Sequence, residues 1–330
     1  IRPGVDDHRA VLAWRRLRGS AAAAGSVEVL KESRSKGRAV YRITGIDSGG
    51  AAVIAKRRVL NETFRAERAI YEHFLPQGPL DGLRFYGAVE EVDAPFGWLF
   101  IEDAESAEYS PKVADHRQVA GRWLGILHTD GQRWDSAMLL SACERYPPPE
   151  LVQAARGPIL EAKRSPRLRD AGALLDRLLA RLDQVASHMQ SMVDLCDRAP
   201  RVVVHGDFMT RNLRIRRPGR DAQLLAVDWE NAGWGCPITD LPQSPLPNSR
   251  SWASADIEAY WSVVREHWAD VDHATVLKWA TCATVIRCVT AIGWDAPLLL
   301  SEWPDDKLAN MALYDAGLAR AIEIAGWGGP

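Results

Sequence analysis

The sequence lacks three features that would assign it to common protein classes: a long apolar run, a large net charge and paired cysteines. Its apolar runs, such as WLFI at 98–101 and PLLL at 297–300, are far shorter than the roughly 18 residues that a membrane-spanning helix needs. Lys and Arg number 41 and Asp and Glu number 43, so the formal net charge is −2. The general positive charge of many nucleic-acid-binding proteins is absent. We therefore expect neither a membrane nor a nucleic acid among the partners of this chain.

The five cysteines are scattered, and no two of them form a CxxC motif. An odd number of cysteines without such spacing does not indicate a zinc site or a disulfide framework. We interpret them as small buried hydrophobic residues of a protein in the reducing cytoplasm. They are Cys143, Cys196, Cys236, Cys282 and Cys288.

Charge is distributed unevenly along the chain. Residues 1–60 contain 13 Lys and Arg against 5 Asp and Glu, whereas residues 251–330 contain 5 against 11. A basic segment is suited to phosphate groups, and an acidic segment is suited to a cationic ligand. Both segments are also explained as solvated surface, so the charge pattern alone does not identify a binding site.

The first hundred residues have the alternating pattern of β-strands, with turns that contain Gly and Ser between them. One stretch, 61–75, instead has apolar residues at helical spacing. After Ser110 the chain becomes mostly helical. The predicted strands are 27–30, 39–43, 51–57, 83–90, 98–103, 201–204 and 224–229, and the later helices are 116–127, 171–195, 254–268, 273–293 and 306–325. We predict an α+β fold with a β-rich N-terminal lobe, 1–103, and a mainly helical C-terminal lobe, 104–330.

Three polar residues follow two short apolar strands. Asp207 comes three residues after the end of the strand VVV, Asn212 lies five residues later, and Asp228 ends the next apolar strand. A carboxylate that positions a hydroxyl, with an amide and a second carboxylate that bind Mg²⁺ through oxygen, is the residue set that phosphoryl transfer requires. Each residue alone would mean little, because Asp and Asn are common in turns.

The spacing HGDxxxxN from His205, followed by an apolar strand that ends in DWE, resembles the aminoglycoside phosphotransferase and choline kinase-like family of small-molecule kinases. The resemblance implies a two-lobed protein-kinase-like fold. It also implies transfer of the γ-phosphoryl group of ATP or GTP, with Mg²⁺, to a hydroxyl of an aminoglycoside-like or other antibiotic or metabolite. Asp207 would be the catalytic carboxylate, and Asn212 and Asp228 would be the metal ligands.

The same resemblance implies further nucleotide-binding positions in the N-terminal lobe. Lys56, in VIAKR, would bind the α- and β-phosphates, and Glu67 on the inserted helix would hold it, with Glu72 as the alternative partner. The backbone of the segment Glu102, Asp103 and Ala104 would bind the purine base. Lys56 alone is equally explained as a surface lysine, because two arginines follow it.

The sequence departs from the family pattern at two loops. The loop that covers the phosphates should be rich in glycine, but SRSKGR at 33–38 has one, Gly37, so Ser35 and Gly37 are the candidate contacts. In the catalytic loop, MTR at 209–211 replaces the commoner His-Pro-Gly. Arg211 is either a loop residue or a ligand of the phosphate or acceptor.

The acceptor is not identified by any motif. The acidic C-terminal segment favours a neutral or cationic compound over an anionic one. Seven of the 13 tryptophans lie between Trp252 and Trp327, and we expect most in the core and one or two stacked on an acceptor ring. Two other functions stay open: a protein kinase, although no DFG or APE-like segment is present, and a non-catalytic nucleotide-binding module.

Overall fold

The computed structural model describes residues 5–33, 35, 37–47, 49–104, 106–134, 146–217, 222–244, 252–301 and 304–327. They form two units. The first contains the described residues up to Glu108, Trp134, and Asn212–Ala232; the second contains Tyr109–Arg133, residues 146–211 and the described residues from Gly233 onward.

A five-stranded antiparallel sheet dominates the first unit. Its strand order is β1-β2-β3-β5-β4, so β1 and β4 are the edges. In β2, buried and half-buried residues alternate strictly, because one face of this strand is covered more completely than the other. The strands are β1 Ser26–Ser33, β2 Arg38–Thr44, β3 Ala52–Val59, β4 Phe85–Glu90 and β5 Phe96–Glu102.

Helix α1, Arg9–Arg18, supplies the apolar cover of this sheet. Its residues Val11 and Trp14 are buried in one cluster with side chains of the central strands, including Tyr41 and Phe100. Trp14 and Phe100 have ring centroids 5.3 Å apart. This leading helix is therefore part of the core of the first unit.

The helix inserted between β3 and β4 begins at its cap residue, Asn61, whose side chain accepts a hydrogen bond from the Phe64 amide. It runs as α2, Glu62–Ala69, continues through a π-helical segment, Ile70–Phe74, and ends in α3, Leu75–Gln77. This agrees with the predicted helix over 61–75.

A second sheet of three strands also belongs to the first unit. It consists of β6, Ala107–Glu108, β8, Leu213–Arg216, and β9, Gln223–Ala226, in the order β6-β8-β9. The predicted domain boundary placed the β8–β9 hairpin in the C-terminal lobe. In the structure β6 pairs with β8, which places the hairpin in the first unit. The boundary after residue 103 stays a prediction.

Helices form most of the second unit. Helix α8 packs closely on α4 where α4 has Gly121, since a Cβ there would lie 2.2 Å from the Asp256 carbonyl oxygen. A two-stranded sheet pairs β7, Val202–Val204, with β10, Gly233–Gly235. The helices are α4 Ala114–Gly131, α5 Leu151–Lys163, α6 Gly172–Ser187, α7 Met189–Arg198, α8 Ile257–Val264, α9 His273–Asp295 and α10 Asp305–Ile324.

The predicted single helix over 171–195 is in fact two helices, α6 and α7, which meet at His188. There the Ser187 hydroxyl and the His188 Nδ1 both approach the Gln184 carbonyl oxygen, at 2.7 and 2.9 Å. Side chains of this kind compete with the backbone for helical carbonyl groups, which explains the interruption.

One described segment, His273–Leu300, has the length and composition of a membrane-spanning helix, with a mean hydropathy of 1.4 in its most apolar window. More than half of that window, 56%, is buried inside the protein. Core helices meet the same two criteria, and α9 packs against both α5 and α10. The expectation that no membrane is involved stays a prediction.

Candidate active site

Lys56 and Glu67 form a buried salt bridge in the first unit. Lys56 lies on β3 and is 5% exposed, and Glu67 lies on α2 and is fully buried. The structure thus brings together the lysine and the glutamate that the sequence paired. Glu72, the alternative partner, instead forms an i,i+4 pair with Arg68 at 2.7 Å. The role of Lys56 in nucleotide binding stays a prediction.

Asp228 joins this ion pair from the end of strand β9. Its Oδ1 atom accepts hydrogen bonds from Lys56 Nζ at 2.8 Å and from Arg58 Nη2 at 2.6 Å. Its backbone has φ 67° and ψ 58°, the left-handed region that non-glycine residues seldom occupy. Such conformations persist where the surrounding structure enforces them, and they are concentrated at functional sites.

Asn212 lies beside Asp228 at the backbone level. Strands β8 and β9 pair Leu213 with Ala226, and the Val227 amide donates to the Asn212 carbonyl oxygen at 2.9 Å. The two predicted metal ligands therefore flank the same end of one hairpin. Their side chains offer an amide and a carboxylate oxygen, which suit Mg²⁺, an ion usually held by one or two carboxylates with substrate phosphates. The donor set thus fits the predicted metal.

Arg58 is a member of this cluster that the sequence analysis did not single out. Lys56 and Arg58 are two residues apart on β3 and so share a face, whereas Arg57 points to the other face. Besides Asp228, Arg58 pairs with Glu230 at 2.6 Å, while Arg57 pairs with Glu91 at 2.6 Å. The period-2 alternation of a strand is the signal that identifies Arg58.

The predicted phosphate-covering loop is the turn between β1 and β2. Gly37 has φ 61°, and a Cβ there would lie 2.4 Å from a ring carbon of Phe96, so the position requires glycine. Its carbonyl oxygen accepts a hydrogen bond from Arg57 Nη1 at 2.9 Å. Ser35 is an exposed residue of the same turn.

The predicted hinge follows strand β5, which ends at Glu102. The Glu102 carboxylate accepts from Arg216 Nη2 at 2.7 Å and from the Arg84 amide at 3.0 Å. The Asp103 carboxylate accepts from Arg42 Nε at 2.5 Å. These side chains are engaged within the first unit, and Ala104 follows them directly. The contact of this backbone with a purine base stays a prediction.

In the second unit, Asp207 follows strand β7 in a turn held by a buried carboxylate. Asp240 accepts hydrogen bonds from the amides of His205 at 2.6 Å and Gly206 at 2.9 Å. The Asp207 amide in turn donates to His205 Nδ1 at 3.3 Å. Because each contact fixes a backbone group next to Asp207, the direction of its side chain is set by fully buried neighbours.

Two arginines face the Asp207 carboxylate. Arg211 Nη2 lies 2.5 Å from Oδ2, and Arg287 Nη2 lies 3.7 Å from Oδ1. Arg211 is one turn away in the catalytic loop, but Arg287 comes from helix α9. Arg287 was not predicted from the sequence, although a single arginine within an otherwise apolar stretch of helix was a usable signal.

Three of the acidic residues in 251–330 accept hydrogen bonds from other groups of the protein. Asp256 accepts from the Ala259 amide at the start of α8, and Asp272 accepts from the Thr275 amide at the start of α9. Asp295 accepts from Lys307, Asn310 and Tyr314 at 2.8, 2.8 and 3.0 Å. The charge split along the sequence therefore does not by itself describe an acidic acceptor site.

Comparisons with known proteins agree with the sequence motifs. The model of the phosphotransferase enzyme family (APH) matches residues 29–272. A search of curated proteins finds no match. Among solved structures, a microcompartment-associated aminopropanol kinase is 12% identical, with a TM-score of 0.60 over 97% of this chain and 99% of that one.

Two solved structures of aminoglycoside phosphotransferases also resemble this chain in fold at low sequence identity. The GDP complex of aminoglycoside 2'-phosphotransferase-IIIa is 11% identical, with a TM-score of 0.59 over 92% of this chain and 96% of that one. The ADP-bound APH(2'')-Ib is 13% identical, with a TM-score of 0.54 over 95% and 98%. These matches confirm the predicted α+β protein-kinase-like fold class.

The family match spans most of the chain and includes the motifs around Asp207 and Asp228. It confirms the resemblance found in the sequence and shows a phosphotransferase. The chain belongs to the phosphotransferase enzyme family.

Proposed function

We propose that the protein transfers the γ-phosphoryl group of ATP or GTP, with Mg²⁺, to a hydroxyl group of a small molecule. The observation that carries this proposal is the ion cluster of the first unit, in which Lys56 contacts both Glu67 and Asp228. A lysine and a metal-binding aspartate, with a glutamate that holds the lysine, are recurring parts of kinase phosphate sites. The GDP and ADP in two similar structures support a nucleotide donor.

Lys56 would bind the α- and β-phosphates of the nucleotide. Its amine is fixed by Glu67, and its second partner, Asp228, is 31% exposed at the side chain. Arg58 offers a further positive charge to the same carboxylate. A nucleotide would thus meet two cations whose positions are already set, which reduces the reorganisation that phosphate binding requires.

Asn212 and Asp228 would hold Mg²⁺, which when bound neutralises phosphate charge. The Asp228 carboxylate forms ion pairs with Lys56 and Arg58, and these two cations hold it in place. The β8–β9 hairpin holds Asn212 at the same end as Asp228. These contacts orient the two oxygen donors in advance.

Asp207 would receive the proton of the acceptor hydroxyl, or orient that hydroxyl for attack. Its neighbours Arg211 and Arg287 face the carboxylate, and Asp240 fixes the turn before it. Little covalent chemistry is required of the protein in this transfer, so its contribution is mostly positioning and charge neutralisation.

The proposed acceptors are aminoglycoside-like compounds or other hydroxyl-bearing antibiotics and metabolites, and the proposed location is the cytoplasm. Antibiotic resistance is one role that such an activity would serve. No DFG or APE-like segment follows Asp228, which argues against a protein kinase. A non-catalytic nucleotide-binding module would not need Asp207, Asn212, Asp228 and Lys56 together.

Nucleotide turnover tests the proposal. The purified protein is incubated with ATP or GTP, Mg²⁺ and a panel of hydroxyl compounds, and release of nucleoside diphosphate is measured. We expect release that depends on one class of acceptor and on Mg²⁺. Binding of nucleotide without acceptor-dependent release for any compound would contradict the proposal and favour the non-catalytic module.

A further inference from the structure

The Arg287 guanidinium is largely buried, but it is only loosely paired. Its side chain is 17% exposed, and its nearest carboxylate oxygen, Asp207 Oδ1, is 3.7 Å away, which is too far for a hydrogen bond. Among the residues that the structure describes, Arg287 donates no side-chain hydrogen bond. An arginine offers five N–H donors, and leaving them unused in a buried place is costly.

Burial lowers the pKa of Arg287. Asp207 acts in the opposite direction, and the positive charge of Arg211 adds to the effect of burial. Burial thus disfavours the charged guanidinium more than the attraction of Asp207 favours it. A second anion within hydrogen-bond distance would restore the balance.

Trp294 sets the orientation of this guanidinium. The Arg287 Cζ lies 4.9 Å from the centroid of the Trp294 ring, and Trp294 is 60% exposed. An arginine stacked on an aromatic face still presents its N–H groups in its own plane, where a carboxylate or another oxyanion accepts them in pairs. The exposed ring extends from the same place and offers an apolar surface for the rest of a ligand.

Asp295, beside Trp294 in the chain, does not compete for Arg287. Its carboxylate accepts three hydrogen bonds, from Lys307, Asn310 and Tyr314. Burial raises the pKa of Asp295, but these hydrogen bonds outweigh burial and lower it overall. The immediate surroundings of the Asp207 carboxylate therefore present two arginines.

We propose that Arg287 is a specificity-determining residue. It binds an anionic group of the acceptor, a carboxylate or another oxyanion, next to the hydroxyl on which Asp207 acts. This inference rests on the proposed function. The phosphates of the nucleotide have Lys56 and Arg58 of the first unit as cationic partners, whereas Arg287 belongs to the second unit and contacts Asp207. Of the acceptors proposed above, those that carry an anionic group are therefore expected to be preferred over the cationic aminoglycosides, in contrast to the expectation from the charge split.

The test uses hydroxyl compounds in sets that share a carbon skeleton and differ in the charge of one substituent. One set is glucuronate, glucose and glucosamine; another is glycerate, glycerol and 3-amino-1,2-propanediol. Specificity constants are measured with nucleotide and Mg²⁺ at low and moderate salt for the wild type and for Arg287→Gln and Arg287→Lys. Arg265→Gln is the matched control, since Arg265 also stacks on a tryptophan, Trp261, at 5.0 Å but is exposed.

We expect the anionic member of a set to be preferred by about tenfold or more, which corresponds to one charge-assisted hydrogen-bonded pair. Arg287→Gln should abolish that preference, Arg287→Lys should keep part of it, and Arg265→Gln should leave it intact. Moderate salt should weaken it. Thermal stabilisation by each compound, measured with nucleotide present, should follow the same order.

Three results would overturn the inference: preference for neutral or cationic members, no stabilisation and no turnover with any anionic member, or an equal loss for all charges in Arg287→Gln. The last result would assign Arg287 to the transferred phosphoryl group. A preference for neutral or cationic acceptors contradicts this inference alone. Nucleotide binding without turnover of any compound contradicts the proposed function.

Discussion

Glu67 is fully buried and reaches Lys56 from helix α2, so the helix and strand β3 are joined by an ion pair inside the first unit. One Glu67 oxygen bonds to Lys56, while the other lies 3.9 Å from Arg58 Nε. Removal of Glu67 would leave Lys56 with Asp228, whose side chain is 31% exposed, as its carboxylate partner. The loss of a buried partner costs far more than the loss of a surface pair.

Glu67→Ala should therefore lower the free energy of unfolding by about 3–5 kcal/mol and weaken nucleotide binding. Chemical denaturation and nucleotide titration measure the two effects. The control is Glu72→Ala, which removes the surface pair with Arg68 and should cost about 0.5 kcal/mol or less. Similar losses of unfolding free energy in both variants would show that the buried Lys56–Glu67 pair stabilises the protein no more than a surface pair does.

Asp207→Asn should remove nearly all phosphoryl transfer and leave nucleotide affinity within a few fold. The carboxylate is proposed to act on the acceptor hydroxyl, and an amide cannot accept its proton at neutral pH. Single-turnover measurement of transfer and calorimetry of nucleotide binding separate the two effects. Near-normal turnover would exclude the role assigned to Asp207.

The five strands of the large sheet were predictable from the sequence to within about three residues, because short runs rich in apolar residues are separated by turns that contain Gly and Ser. Strict alternation of buried and half-buried residues occurs in β2, whereas the middle of β5 is buried on both faces. Strand β8, Leu213–Arg216, was not predicted, since four residues between a catalytic loop and a turn carry too little periodicity. Its place in the first unit depends on pairing with β6, and partners distant in sequence leave no local signal.

The site was predictable where one motif fixes residue type and spacing, as for Asp207, Asn212 and Asp228. Arg58 and Arg287 were not identified. The strand period and the apolar stretch of helix mark their positions, but the carboxylates that each arginine contacts are set by the fold. Arg287 lies 80 residues from Asp207 in the chain. Such long-range contacts are decided by helix packing, which sequence periodicity does not specify.

Asp228→Ala should weaken Mg²⁺-dependent nucleotide binding as well as turnover. It removes a charged oxygen ligand and leaves Lys56 and Arg58 without their shared carboxylate. Calorimetry of nucleotide binding with and without Mg²⁺ is the measurement. Glu230→Ala is the control, because it removes a partner of Arg58 that is not a proposed metal ligand. A Mg²⁺ dependence equal to that of the wild type would exclude Asp228 as a ligand.

Asp240→Asn should damage the turn before Asp207 without touching the substrate. The Asp240 carboxylate accepts the amides of His205 and Gly206, and a neutral amide side chain accepts less strongly and presents only one oxygen. A buried amide left without its acceptor costs about 1–3 kcal/mol, so we expect a loss of that size in the free energy of unfolding. The rate of transfer should fall while nucleotide affinity is kept, because the turn that carries Asp207 loosens. Denaturation curves and steady-state kinetics on Asp240→Asn, with Asp256→Asn at the start of α8 as the control, test this. Unchanged kcat in a destabilised Asp240→Asn protein would restrict Asp240 to a role in stability alone.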